Sequence, residues 1–110
     1  MPEPNVAIIR ALNDHARHSF AGCRVRLTAG VAALGQGALH QILDQVRAYD
    51  LFTPDNDLYG EHDFGSFHHG DHQVFWKFHY YDLDYTMHSP DPTDETITAR
   101  VLTIMLAEEY

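Results

Sequence analysis

The sequence predicts an α+β domain in which three helices pack on one face of an antiparallel sheet of three to four strands, in the order α-β-α-β-β-β-α. Three observations predict it. Residues 22–28 alternate apolar and polar side chains, Gly70-Asp71 is a two-residue turn between alternating segments, and apolar residues recur at helical spacing on both sides of the first strand. With 110 residues, 45% of them hydrophobic and 21% charged, the chain has the size and composition of one compact domain spanning 1–110, and no repeat or low-complexity tract divides it.

The first helix covers residues 5–18, where Ile8, Ile9, Leu12 and Ala16 share a face and Arg10, Asp14 and Arg17 lie on others. Cys23, Val25 and Leu27 then alternate with Arg24, Arg26 and Thr28, the pattern of a half-buried strand with two arginines on its second face. A small-residue stretch, Ala29 to Gly37, leads into a second helix whose apolar stripe is Leu39, Ile42, Leu43, Val46 and Tyr49, and Phe52 to Gly60 is loop. Strands at 64–69 and 72–81 form a hairpin in which 69 faces 72, 67 faces 74 and 65 faces 76. Its core face carries Phe67, Val74, Trp76, Phe78 and Tyr80, with Gly65 leaving room for the indole; the other face carries Phe64, His68, Phe75, Lys77, His79 and Tyr81. A short strand is expected from Asp84 to His88. A last helix follows, with Asp91 as N-cap, Pro92 at its first position, and Asp94 and Glu95 in its first turn. Its apolar residues Ile97, Val101, Ile104, Met105, Leu102 and Leu106 run almost all round it, so it is expected to be sandwiched in the core or to supply a subunit interface.

Three stretches carry a resemblance: Leu27-Thr28-Ala29-Gly30-Val31-Ala32-Ala33-Leu34-Gly35; Phe52-Thr53-Pro54-Asp55-Asn56-Asp57-Leu58-Tyr59-Gly60-Glu61-His62-Asp63-Phe64-Gly65; and Ser89-Pro90-Asp91-Pro92 with the run 101–110. Together with Val74-Phe75-Trp76-Lys77 and Tyr80-Tyr81-Asp82, the chain resembles an uncharacterised bacterial family of small single-domain proteins whose domain has no known function. The resemblance implies carriage on plasmids, integrated elements and phage-derived islands, near genes for DNA transfer and anti-restriction, and it implies no catalytic residues.

Charge is unevenly spread. Residues 1–43 hold two acids and four arginines, a balance of +2, whereas residues 44–110 hold fourteen acids and three bases, a balance of −11, giving −9 for the chain. That argues against a general nucleic-acid coat, since phosphate contacts supply most non-specific affinity, and it suits a basic protein partner. No run approaches the roughly 20 apolar residues of a membrane span, and residues 1–5 carry no secretory pattern, so the expected address is the cytoplasm and no membrane contact is expected. Cys23, the single cysteine, excludes an internal disulfide and a Cys-based zinc cage.

Nine histidines raise the question of metal. His69 and His72 oppose each other across the turn and His15 and His18 lie one helical turn apart, yet structural zinc takes four ligands and catalytic zinc three, so no metal and no cofactor is expected. Asp55, Asp57 and Gly60 match the opening of a calcium loop, but Tyr59 and Ser66 stand where ligands belong. No nucleophile motif or phosphate loop is present. The expected function is therefore that of a small acidic, non-enzymatic binding protein of a mobile element, an inhibitor of a DNA-targeting defence system of the anti-restriction or anti-CRISPR type. The residues expected to meet the partner are Asp55, Asp57, Glu61, Asp63, Asp82, Asp84, Asp91, Asp94 and Glu95. One alternative is a metal-dependent nucleic-acid hydrolase that uses Asp55, Asp57, Glu61 and Asp63, with Glu61 or His62 as base. Another is a nucleic-acid module on the second sheet face, where Arg24, Arg26 and Lys77 interleave with Phe64, Phe75 and Tyr81. A homodimer through the last helix or the open sheet face is a further expectation.

Overall fold

The computed structural model describes residues 4–110, as α1 (Pro4–Ser19), β1 (Arg24–Leu27), α2 (Ala29–Ala32), α3 (Gln36–Ala48), β2 (Phe64–His69), β3 (His72–Tyr81) and β4 (Ala99–Leu106), followed by a 3-10 turn at Ala107–Glu109. The described residues make a mixed α+β fold with three helices and one four-stranded sheet, in the order β1-β4-β3-β2.

Two expectations are corrected. The segment read as a last helix is β4, which pairs antiparallel with β3 and parallel with β1, so the sheet is mixed and not antiparallel throughout. β4 has a neighbour on each edge, and the side chains of Val101 to Leu106 are all buried on both faces; its pattern is a continuous apolar run that periodicity alone cannot separate from a buried helix. The capping chemistry before it is turn chemistry: Asp91 Oδ1 accepts from Thr93 N and Oγ1, and Asp94 Oδ1 from Thr96 N and Oγ1. A dimer through a last helix therefore has no helix to use. Residues 84–88 are not a strand either; the only pairing there among the described residues is a single bridge between Tyr81 and His88.

The hairpin has the expected register, with Gly65 opposite Trp76, Phe67 opposite Val74 and His69 opposite His72. Gly70 turns it with φ +58°, a left-handed value that glycine adopts without strain. Opposed residues share a face, so Val74, Trp76, Phe78 and Tyr80 lie with Leu106, Ile104, Leu102 and Arg100, and with Val25 and Leu27 of β1. Ile9 and Ala16 of α1, Val31 of α2, and Ile42 and Val46 of α3 join this face in one buried cluster. Each large aliphatic side chain there contributes about 1.5–3 kcal/mol by leaving water.

The buried stripe of α1 is rotated from the apolar one. Ile8 is 48% exposed, while Ile9, Asn13, Ala16 and Arg17, at helical spacing, are buried. Two polar residues thus enter the interior, and the sequence on the far side of the core supplies their partners.

Candidate functional site

Arg100 points from β4 into the core side and is 3% exposed. Its Nε donates to Asn13 Oδ1 at 2.8 Å and one terminal nitrogen to the Pro92 carbonyl at 2.7 Å. Asn13 passes the chain on, Nδ2 donating to the Tyr80 hydroxyl at 2.7 Å, and Tyr80 donates to Glu61 Oε1 at 3.0 Å. A buried cation is thus linked to a half-buried carboxylate through two neutral side chains. Burial is the main force raising the Glu61 carboxyl above its usual range, with the Tyr80 hydrogen bond opposing it; burial likewise pushes the Tyr80 phenol well up.

Arg17, 1% exposed, donates to the Val46 and Arg47 carbonyls and to Asp14, with its guanidinium carbon 5.1 Å from the Trp76 ring centre and 5.4 Å from that of Phe52. Asp14 also meets His62 Nδ1 at 2.8 Å, and Asp57 lies 3.5 Å from His62 Nε2. The imidazole stacks on Phe52, ring centres 3.7 Å apart. His62 has φ +55°, a conformation few non-glycine residues adopt, and its own N–H is held by Asp57 Oδ1. With a carboxylate at each ring nitrogen, His62 is a clamp between α1 and the 51–63 loop. A recess of about 480 Å³ beside it is lined by Arg10, Phe52, Asp57, Tyr59 and others.

The nine acids expected at a partner surface divide into three kinds. Asp57, Glu61 and Asp63 are partly buried; the first two belong to the network above, and burial raises Asp63. Lysine at Asp57 or Glu61 would break that network, so these are not simple surface charges. Asp82, Asp91 and Asp94 fold the β3–β4 loop on itself by accepting from Thr86, Thr93 and Thr96, and these hydrogen bonds lower the carboxyls of Asp82 and Asp94. Asp55, Asp84 and Glu95 are exposed and make no side-chain hydrogen bond among the described residues. The loop 82–98 gathers Asp82, Asp84, Asp91, Asp94 and Glu95 with no lysine or arginine, and shows Leu83 at 58%, Met87 at 71% and Tyr85 at 45% exposure. Asp55 to Asp63 belong to the preceding long loop, whose Asp63 shares a recess with His88 of the 82–98 loop.

The other set, Arg24, Arg26, Phe64, Phe75, Lys77 and Tyr81, comes together on the second sheet face. Register places Arg26, Thr103, Lys77 and Phe64 in one row across the four strands, with Arg24, Val101 and His79 in the next. All buried helical residues lie on the opposite side. Two residues missed by the sequence reading close over this face: Tyr110, packed edge-on to Phe64 and Phe75, and Tyr85, under the Arg24 guanidinium. Asn13, Arg17 and Arg100 were missed as well, since a polar residue inside an apolar stripe gives no hint of its distant partner.

His15, His18, His68 and His72 are exposed, and Cys23 is half-buried. Among the described residues no group of three or more His, Cys, Asp or Glu side chains is gathered as a metal ion would need, the four loop carboxylates included. No described helix is long and apolar enough to cross a membrane.

No curated protein and no solved structure matches the chain. A family model does match, over residues 27–109, which covers β2, β3, β4 and the acidic loop but leaves out α1 and all of β1 except Leu27; on that match the chain belongs to the family described as Protein of unknown function (DUF3768).

Proposed function

We propose that this protein is a non-enzymatic binding protein that seats the β3–β4 loop on a basic protein partner. The observation that carries the reading is the loop itself: five carboxylates without a lysine or arginine, interspersed with exposed Leu83, Tyr85 and Met87, on a backbone already folded by its own hydrogen bonds. A pre-folded loop loses little conformational entropy on docking, and an apolar centre ringed by charge is the anatomy of a protein contact. On this proposal the partner is a DNA-targeting defence complex, of the anti-restriction or anti-CRISPR type, met in the cytoplasm, and the acids occupy a channel that otherwise holds nucleic acid. That last step rests on the resemblance to proteins of plasmids and phage-derived islands and on the charge.

Asp84 and Glu95 are the residues to test, because they are exposed and hold nothing together. Affinity capture from a cell extract, read by mass spectrometry, should return a basic nucleic-acid-handling protein. Titrating that protein with wild type and with the Asp84→Lys/Glu95→Lys double variant should show at least about tenfold weaker binding for the variant, and an affinity that falls with salt. Unchanged binding by a folded variant refutes the reading.

A further inference from the structure

The chain has seven lysines and arginines. Four serve the fold: Arg10 donates to the Gly60 carbonyl, Arg17 and Arg100 are buried in networks, and Arg47 pairs with Asp44. The remaining three, Arg24, Arg26 and Lys77, have no carboxylate within salt-bridge distance among the described residues; Lys77 Nζ donates to the Tyr110 hydroxyl at 3.2 Å and Arg24 lies over the Tyr85 ring, and all three stand on the sheet face turned away from the helices. Strand spacing sets Arg26 and Lys77 about 10 Å apart across β4, and Arg24 about 7 Å along β1 from Arg26. His79, of the same face, is held below its ordinary value first by burial and then by Lys77 and Arg26, with Asp63 opposing.

Between these cations lie rings and an unsatisfied hydroxyl. Phe64, Phe75 and Tyr81 are partly exposed, and recesses of about 380 and 280 Å³ flank Lys77, the first bounded by Tyr59, Phe64 and Tyr110, the second by His79, Tyr81 and His88. Asp63 reaches both recesses, and Asp55 and Asp57 also line the first; burial raises the Asp63 carboxyl. Thr103, in the row between Arg26 and Lys77, is 7% exposed and its Oγ1 has no hydrogen-bond partner among the described residues. A buried hydroxyl without a partner is costly, and a ligand that hydrogen-bonds to it would relieve that cost.

We propose that this sheet face binds single-stranded nucleic acid, with Arg24, Arg26 and Lys77 on phosphates and Phe64, Phe75 and Tyr81 under bases. A four-stranded sheet presenting rings is an established platform for unpaired bases, whereas a duplex hides its base faces and leaves the rings idle. A second copy joined face to face would set six cations against one another. The surface meets the acidic loop at Tyr85 and His88, but the proposal does not depend on the reading given for that loop.

The test is fluorescence anisotropy with labelled single-stranded DNA and RNA of about 15 nucleotides, and with a duplex of the same length, using the full chain. The single strands should bind at least tenfold more tightly than the duplex. Three phosphate contacts predict that raising salt from about 50 to 200 mM weakens single-strand binding roughly twentyfold. Arg26→Gln/Lys77→Gln should weaken binding tenfold or more and flatten the salt slope. Tyr81→Ala and Phe75→Leu should weaken it with the slope unchanged, and Asp84→Lys/Glu95→Lys should retain it. Circular dichroism checks each fold. No binding by wild type, equal binding of duplex, or undiminished binding by the Arg26/Lys77 variant overturns the proposal. So does displacement of the strand by sodium polyglutamate at equal charge, which would make the face a site for acidic peptide, or loss of a dimer in sedimentation on changing Arg26 and Lys77.

Discussion

Replacing Gly65 by alanine tests the packing of the hairpin against the helices with a single methyl group. Gly65 opposes Trp76, and a Cβ built there would overlap the indole, lying 2.5 Å from Cε2 and 2.6 Å from Cζ2. Ordinary contact needs about 3.5–4.0 Å, so ring or strand must move by about 1 Å. The ring is held by Tyr49, Phe52 and Phe78 at centre distances of 5.4, 6.0 and 6.1 Å, and by the Arg17 guanidinium, and it is fully buried. Overpacking of this kind costs about 1–3 kcal/mol, of which alanine's smaller backbone entropy returns about 0.5–1. The net loss of about 1–2 kcal/mol corresponds to roughly 4–8 °C in Tm for a domain of this size. Thermal unfolding followed by tryptophan fluorescence and far-ultraviolet circular dichroism measures it. Trp76→Phe, which removes the overlapped atoms, should make the two changes non-additive by about 1 kcal/mol or more. A Gly65→Ala protein melting at or above wild type, or strict additivity with Trp76→Phe, would refute the packing described.

Further outcomes are expected. Trp76→Ala should cost about 3–5 kcal/mol, read as a shift in the urea midpoint, since the largest fully buried side chain leaves a cavity among aromatic rings. Arg100→Met should cost about 1–3 kcal/mol or more in the same assay by stranding Asn13 Oδ1 and the Pro92 carbonyl, and an unchanged midpoint would argue against the network. His79, depressed by burial, Lys77 and Arg26, should titrate below 6.5 by NMR and rise in Lys77→Gln; because the unfolded chain protonates first, stability gained from this group is lost as pH falls through 6.5 toward the native value. Glu109 accepts from Thr28 Oγ1 and from the Gly30 and Leu106 N–H groups, which lower its carboxyl from 4.5; Glu109→Gln should therefore reduce Tm at neutral pH, and the difference should vanish as acid protonates the wild-type carboxylate.

The hairpin, α1, β1 and α3 were legible because each buries one face, and a one-sided element writes its period into the sequence. Gly70-Asp71 fixed the register, and with it the side of every residue from Phe64 to Tyr81. The segment 99–106 was not legible by period because both its faces are covered; the enrichment in Val101, Thr103 and Ile104 was the available sign of a strand. Acidity could be counted but not allocated. That Glu61 is held by Tyr80, or that Asp57 and Asp14 both meet His62, depends on pairs far apart in the chain. Alternation alone gathered the cations of β1 and β3 on one sheet face; that Thr103 stands between Arg26 and Lys77 required β4 between those strands.

The position of β4 also bears on how the protein is made. Its pairings hold β1 on one side and the β2–β3 hairpin on the other, Arg24 meeting Val101 and Val74 meeting Leu106. On a ribosome, β1 emerges early and waits for a partner encoded near residue 101, while the hairpin forms locally with the outer edge of β3 uncovered. Long-range pairing of this kind slows folding, and unpaired strand edges are where nascent chains stick to one another. A chain stalled before Ala99 holds two unfinished edges; the eight residues Ala99–Leu106 close both at once.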